Sequence, residues 1–451
     1  MQVVPIHKKN SVLDKGNYRP VSILPALSKV FENAINTQLS AYFDDIFHPF
    51  LAAFRSGFGC QSTLLRITED WKKAIDENKY VAEAFDCLPH DLILLKLKYY
   101  GLSPPAIYLL KSYLSCRKQC VKIGQNISSF LDIFKGVPQG SILGPVIFNI
   151  FINDIFYFVK DSALYNYADD NTISHSDYTL ENVITTLEKE SGVLIDWFSA
   201  NKMQANPETF QAISLGKKTR DKHITFKLNG TTLACEEEVK LLGVTIDFSL
   251  NFNSHISNIC KKAARQLNVL KRIGKHLCRL GKITIYHTFI MSNFSYCPLV
   301  WHFCNEQNCR KIEKIQERAL RFIYDDYSSN YNQLLVKSNL PSLKTRRMRT
   351  MALEVFKIVN KQSPLFLQDL VQLRNSNYNF RYQNTLELPM LRTTRCGKNS
   401  FRYAAATLWN SFPNHVREIS NFNQFRSFLE SWTGESCKCS SCRGHSVGAH
   451  S

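Results

Sequence analysis

Two short apolar runs flank a pair of adjacent acids at Tyr167-Ala168-Asp169-Asp170, and helical periodicity stands on either side of them. Ala163–Ile173 reads as strand, turn, strand with the acids at the turn, while Leu143–Phe158 and Leu180–Met203 carry apolar residues at three- and four-residue steps. Upstream, Val121–Ile123 and Phe130–Phe134 look like strands. A hairpin embedded among alternating strands and helices argues for an α+β sandwich. Two other Asp-Asp pairs occur, but Asp325-Asp326 ends a basic helix and reads as a helix-end and turn feature, and Asp44-Asp45 sits at the close of another apolar segment. Adjacent carboxylates on a tight β-turn suit divalent metal ions, which activate a nucleophile and stabilise a leaving oxygen in phosphoryl transfer.

The charge points the same way. Lys and Arg total 56 against 38 Asp and Glu, a net +18 at pH 7. Between Lys261 and Thr350 there are 18 basic and 5 acidic residues, so most of the excess sits in one fifth of the chain. From Ser254 the apolar positions Ile256, Ile259, Ala263, Leu267, Leu270 and Ile273 form one stripe, with Lys261, Lys262, Arg265, Lys271, Arg272 and Lys275 largely around it. Such a helix suits a polyanion, because each cation that meets a phosphate releases condensed counterions. With 44% apolar and 21% charged residues the chain is globular rather than disordered. The most apolar stretch, Ser141–Ile152, contains Pro145 and Asn149 and falls short of the ~18 residues a membrane span needs. No leader is apparent, so an intracellular, non-membrane protein is expected, in nucleus or cytoplasm.

About thirty residues before the acids lies Gly136-Val137-Pro138-Gln139-Gly140-Ser141-Ile142-Leu143-Gly144-Pro145, a small-residue loop opening a helix. Glycine lets a backbone approach a ligand closely, and Gln139 can hydrogen-bond a base or sugar edge. Together, Gly136–Pro145 and Tyr167–Asp170 resemble the reverse transcriptases of non-LTR (LINE-type, jockey-like) retrotransposons. Pro5-Ile6-His7-Lys8-Lys9 with Asn17–Ser22 is similar to that family's opening block. Phe54–Thr63 resembles a later block, although Arg55, Gly59 and Cys60 depart from its order. Ala84-Phe85-Asp86 resembles the end of the first catalytic motif, and Asn201–Pro207 and Leu241–Val244 resemble later palm motifs.

The resemblance implies a right-hand polymerase followed by a mostly helical C-terminal region. Residues 1–77 would be a fingers-like segment and 78–250 the palm, with a reverse-transcriptase-like domain over about 1–250. Residues 251–350 would be a basic helical thumb and connection, 351–435 a helical C-terminal region and 436–451 a Cys-rich tail. It implies an RNA template, a DNA primer and dNTPs as partners. Asp169 and Asp170 would hold Mg²⁺, with Mn²⁺ as a substitute. Lys8, Lys9 and Arg19 would meet the triphosphate, Phe85 would exclude a 2′-hydroxyl, and Gln139 would sit near template or nucleotide. Lys261, Lys262, Arg265, Lys271 and Arg272 would track the duplex backbone.

One departure bears on activity. The family's first motif reads Asp, three residues, Ala-Phe-Asp, with the leading Asp as a metal ligand; six places before Asp86 stands Tyr80. The expectation is that the central palm strand ending in that Asp has been lost, with Glu83 or Asp76 as possible replacements for the carboxylate. Thr209 stands where many relatives carry Lys. These departures, and the absence of a preceding endonuclease domain, suggest a truncated, impaired copy; the alternative is a catalytically dead chain that only binds nucleic acid. A viral RNA polymerase is disfavoured by Ala168, where those enzymes more often carry Gly. Of the 14 cysteines most read as reduced thiols. Cys437, Cys439, Cys442 and His445 have the donor types for Zn²⁺, whereas His302, Cys304 and Cys309, beside Trp301 and Phe303, read as core.

Overall fold

The computed structural model describes residues 1–433 apart from 9–10, 15–16, 87–92, 116, 134–136, 204–209, 217–223, 229 and 375–383. The chain opens with an antiparallel hairpin, β1 (Gln2–His7) and β2 (Tyr18–Ile23), where the sequence suggests only a basic, turn-rich stretch. Its two prolines face each other, Pro5 against Pro20. Proline has no N–H to give, and setting both at one rung confines the missing donors to a single place in the ladder. Helices α1 (Ala26–Phe43) and α2 (Cys60–Asp76) follow, then strand β3 (Tyr80–Asp86) and the short helices α3 (Ile93–Tyr99) and α4 (Pro104–Leu114). Strand β4 (Arg117–Ile123) returns parallel to β1, and β5 (Asn126–Ile127) and β6 (Leu131–Ile133) pair with it antiparallel.

The second half of the α+β region builds the four-stranded sheet that carries the paired acids. Helix α5 (Leu143–Ile152) ends in a 3₁₀ turn at Asn153–Tyr157, so the helix expected over Leu143–Phe158 changes pitch at Asn153. The hairpin β7 (Ala163–Tyr167) and β8 (Asp170–Asp177) comes next, then α6 (Leu180–Ala200) and β9 (Ala212–Leu215). These strands form a four-stranded sheet in the order β7-β8-β3-β9, antiparallel throughout. Strand alternation divides its side chains between two cores. Ala82, Leu164, Ile173 and Ala212 face α5 and α6, while Val81, Tyr165, Ile213 and Leu215 belong to the core that holds Trp71 of α2. Two small hairpins, β10–β11 (Thr225–Leu228, Thr231–Ala234) and β12–β13 (Glu238–Leu241, Val244–Asp247), complete this half.

The palm therefore keeps its central strand, and the expectation of its loss is corrected. Tyr80–Asp86 pairs with β8 along its whole length and with β9 over Val81–Ala84. The physical reason is that a central strand needs backbone pairing and alternate burial, not a particular sequence. Val81 and Ala82, each almost fully buried on opposite faces, meet that requirement.

Beyond β13 the chain is helical: α7 (Asn253–Ile273), α8 (Arg279–Ile285), α9 (Ser292–Ser295), α10 (Glu306–Tyr324), α11 (Tyr331–Ser338) and α12 (Leu343–Val359). After residues 375–383 come α13 (Phe401–Ser411), α14 (Asn414–Arg417) and α15 (Phe422–Ser431). Among the described residues no helix is long and apolar enough to cross a membrane. The division expected at residue 350 falls inside α12.

Helix α2 joins the palm to this C-terminal region. On one side Trp71 donates its indole N–H to Ser174 of β8 at 3.0 Å. On the other, Leu65 packs in a core with Met348, Phe356, Phe401 and Trp409. Glu69, fully buried, accepts from the backbone N–H groups of Phe401 (2.8 Å) and Arg402 (3.0 Å) at the start of α13, and pairs with Lys72 at 3.2 Å. Asp70 binds Arg66 (2.6 Å), Arg402 (3.1 Å) and the Tyr165 hydroxyl (2.7 Å). Asp76 accepts from the backbone N–H of Arg392 and of Thr393 and from the Thr393 hydroxyl. Replacing Glu69 with Ala leaves Lys72 buried without its carboxylate and the N–H groups of Phe401 and Arg402 without that acceptor, although Ser400 still caps α13. The expected loss is about 3–5 kcal/mol of unfolding free energy, read as a lowered denaturant midpoint.

Candidate functional site

The paired acids sit at the tip of the β7–β8 hairpin. Tyr167 pairs with Asp170, leaving Ala168 and Asp169 as the turn, and Ala168 adopts a left-handed φ of 55°. Asn166, fully buried, holds that turn: its amide donates to the Ala168 carbonyl and to the Asn171 side-chain oxygen, both at 2.9 Å. Asp169 is exposed and Asp170 half-buried. Burial, with the Cys60 thiol beside the hydroxyl, pushes the Tyr167 phenol up to about 12, so it stays neutral.

The register of β3 decides which further acid approaches the turn. Tyr80 lies at the remote end, opposite Asp177. Glu83 lies opposite Ser174, four residues from Asp170 and so ~13 Å along the strand. Asp76 is engaged at the backbone of Arg392 and Thr393. Asp86 stands opposite Asn171, next to Asp170 in sequence, and Phe85 stands opposite Thr172. The fold thus brings Asp86 abreast of the hairpin turn and sets Glu83 and Asp76 elsewhere.

Glu83 is fully buried, and desolvation raises its carboxyl pKa well above the ordinary value, with the Thr172 hydroxyl only partly opposing. A folded-state pKa raised in this way means the native state keeps a proton that the unfolded chain loses. Stability is then greatest below the ordinary glutamate pKa of 4.5 and falls as pH rises from there towards the folded value. The slope reaches about 1.4 kcal/mol per pH unit. Glu83→Gln should remove that slope, so denaturant melts at pH 5, 7 and 8.5 should show the variant gaining on the wild type as pH rises.

The glycine-rich loop is fastened to β2 and α1. Ser22 of β2 donates its N–H to the Gln139 carbonyl at 2.9 Å, and Gly140 has φ of +102°, where a Cβ would lie 3.3 Å from the Ser22 carbonyl oxygen. Buried Glu32 of α1 accepts from the backbone N–H of Ile142 at 2.7 Å and from the hydroxyls of Ser28 and Tyr113. The Gln139 side chain is left exposed. Glu32 and Asn166 were not identified from sequence. Glu32 does stand in line with Ile35, Leu39 and Phe43 on the buried side of α1, and a carboxylate on an apolar stripe is the signal that could have found it.

Among the other candidates, Lys8 and Arg19 are exposed near one end of the β1–β2 hairpin, where the Lys8 N–H bonds the Asn17 carbonyl and Arg19 lies opposite Ile6. On α7, Lys261, Lys262, Arg265 and Arg272 are exposed and Lys271 half-exposed, while Ala263, Leu267 and Leu270 are buried. Asp325 ends α10 in a left-handed conformation, and Asp326 binds Ser329 and Lys337. Cys304 and Cys309 are buried with their sulfurs 3.5 Å apart, beside buried Trp301 and His302. Among the described residues no three His, Cys, Asp or Glu side chains form a metal-binding group. Lys9, Gly136, Thr209, Cys437, Cys439, Cys442 and His445 lie outside the described residues.

The sequence profile described as "Reverse transcriptase (RNA-dependent DNA polymerase)" matches residues 6–246, more than half of the chain. The chain is 27% identical over 345 residues to the "Probable RNA-directed DNA polymerase from transposon BS" of Drosophila melanogaster, covering 72% of this chain and 38% of that protein. It is 28% identical over 344 residues to the "RNA-directed DNA polymerase from mobile element jockey" of the same organism, covering 71% of this chain and 37% of that one. The chain therefore spans less than two fifths of the length of these relatives. Telomerase from Candida albicans, solved with a fragment of telomeric RNA, is similar at a TM-score of 0.37 and 11% identity, over 77% of this chain and 61% of that one.

Proposed function

Because the chain belongs to the reverse transcriptase family, we propose that it is the polymerase part of a non-LTR retrotransposon protein, extending a DNA primer on an RNA template. The observation that carries this reading is the register of the palm sheet. A central strand ends in Asp86 beside the turn that bears Asp169 and Asp170, so one small region holds three acids. An all-oxygen set of carboxylates suits a hard divalent cation such as Mg²⁺ or Mn²⁺ and is a poor match for softer metals. Bound there, such ions would help deprotonate the primer 3′-hydroxyl and offset charge on the leaving pyrophosphate.

The chain's own residues have separate tasks in this reading. Asp169, Asp170 and Asp86 hold the metal, and Asn166 fixes the turn that presents two of them. Glu32 anchors the loop that displays Gln139 towards template or nucleotide. Lys8 and Arg19 meet the triphosphate, and Phe85 selects against the ribose 2′-hydroxyl. The exposed cations of α7 run along the duplex phosphates.

One observation favours the second reading, nucleic-acid binding without synthesis. By strand alternation position 86 shares the sheet face of Asn171, and position 170 falls on the other. Primer extension and Mn²⁺ binding followed by electron paramagnetic resonance separate the two. Under the first reading Asp86→Asn and Asp169→Asn each weaken Mn²⁺ binding and lower extension by several orders of magnitude, while Glu83→Gln does neither. Unchanged Mn²⁺ affinity in Asp86→Asn removes Asp86 from the site. No extension by a wild-type chain that still binds primer–template favours the second reading.

Duplex binding has its own signature. The log of affinity should fall by ~0.9 per neutralised phosphate for each unit of log salt. Replacing Lys261, Lys262, Arg265 and Lys271 with Gln should flatten that slope by about one per phosphate-contacting cation removed. An unchanged slope would place the duplex elsewhere.

A further inference from the structure

Phe54 combines three properties seldom found together. Its backbone has φ of 60°, a left-handed conformation that strains a bulky side chain. Its ring is 60% exposed, although Leu51, Ala52 and Ala53 just before it are almost wholly buried. And the segment carrying it runs beside the acid-bearing hairpin. Leu51 forms a parallel bridge with Asn166, closed by the Asn166 N–H to the Phe50 carbonyl (3.1 Å) and the Ala52 N–H to the Asn166 carbonyl (3.0 Å). Because the bridge is parallel, the chain leaves Leu51 in the direction in which β7 runs from Asn166 to the turn, and Phe54 follows three residues on.

The strain is imposed from both sides. Ahead of it, Asn149 donates its amide to the Ala53 carbonyl at 2.7 Å. Behind it, the Arg55 guanidinium donates to the carbonyls of His48 and Leu51 (3.2 Å each) and to the Asp44 carbonyl and carboxylate (3.1 Å each), and it lies 4.3 Å from the Phe58 ring centre. With both neighbours pinned, the ring is held out in solvent. A lone exposed aromatic is ordinary on a protein surface; a rigidly presented one, whose backbone would be relaxed by glycine, calls for a ligand. Its place three residues beyond the bridge to the acid-bearing hairpin says which kind. Aromatic rings next to a nucleic-acid path act as stacking platforms, and an unpaired base offers the free π-face that a base within a duplex has already used.

We propose that Phe54 is a stacking platform for a single-stranded nucleobase of the bound nucleic acid, next to the Asp169 turn. The inference rests on the nucleic-acid reading above. Its ligand is a flat aromatic base taken without regard to sequence, since every base presents a π-face.

The test compares two oligonucleotides, a blunt duplex and the same duplex with a single-stranded 5′ overhang carrying 2-aminopurine, whose fluorescence is quenched by stacking. The full chain should bind the overhang form more tightly and quench its signal. Phe54→Gly should lose the quenching and about tenfold of the overhang affinity, keep its affinity for the blunt duplex, and unfold at the same or a higher temperature because the strained φ is relieved. Phe54→Trp should restore quenching. A ring with only a packing role would instead lower the melting temperature in Phe54→Gly and leave fluorescence unaltered. Wild-type binding with unchanged quenching in Phe54→Gly, or an equal loss for both oligonucleotides, overturns the stacking inference alone. A wild-type chain that binds neither oligonucleotide overturns the nucleic-acid reading and this one with it.

Discussion

The buried carboxylate of Glu69 is the contact on which the arrangement of this molecule turns. An ionised group taken out of water is tolerated only when it is paired and hydrogen-bonded. Glu69 meets that condition with Lys72 from its own helix and two N–H groups from the first turn of α13, more than 300 residues away in sequence. Those donors are among the unsatisfied groups every helix start presents, so one side chain resolves two costs at once. Asp70, one residue on, binds the Arg402 side chain, and Asp76, about two turns on, accepts from the backbone N–H groups of Arg392 and Thr393. The helix is thereby held against the C-terminal region by its acids and against the palm sheet by Trp71, Leu64 and Ile67.

Much of the fold could be read directly where a single periodicity ran unbroken. The helix over Leu343–Val359 has the expected ends, and the hairpin around Asp169 and Asp170 is where its two apolar runs place it. Failures occurred where meaning depends on a distant partner. Pro5 and Pro20 look like loop residues until they are seen opposite each other. Glu32 is an unremarkable acid until the start of α5, more than a hundred residues on, is found against it. The left-handed backbone at Phe54 has no sequence signal at all, because glycine is the usual marker of that conformation and Phe is its opposite.

The first catalytic motif shows a different limit. Counting positions against the family rightly finds Tyr80 where an acid is expected, but counting treats a strand as a string of assigned places. The sheet has no such memory. It accepts whichever residues can pair and bury alternately, and Tyr80–Asp86 does so with its own offset, which sets Asp86 rather than Glu83 beside the turn.

Helix α12 gives the architecture a closed mechanical circuit. It packs on α10 at one side and on α13 and α15 at the other, while α13 is tied to α2 and α2 lies on the palm sheet. A helical region joined to the four-stranded sheet only through the chain after β13 would swing on a single hinge. Here a second path runs from palm through α2, the C-terminal helices and α12 back to the basic helices. In a loop of linked rigid bodies no member can rotate alone. Any movement of the basic helices must be shared among several contacts or released by parting one of them.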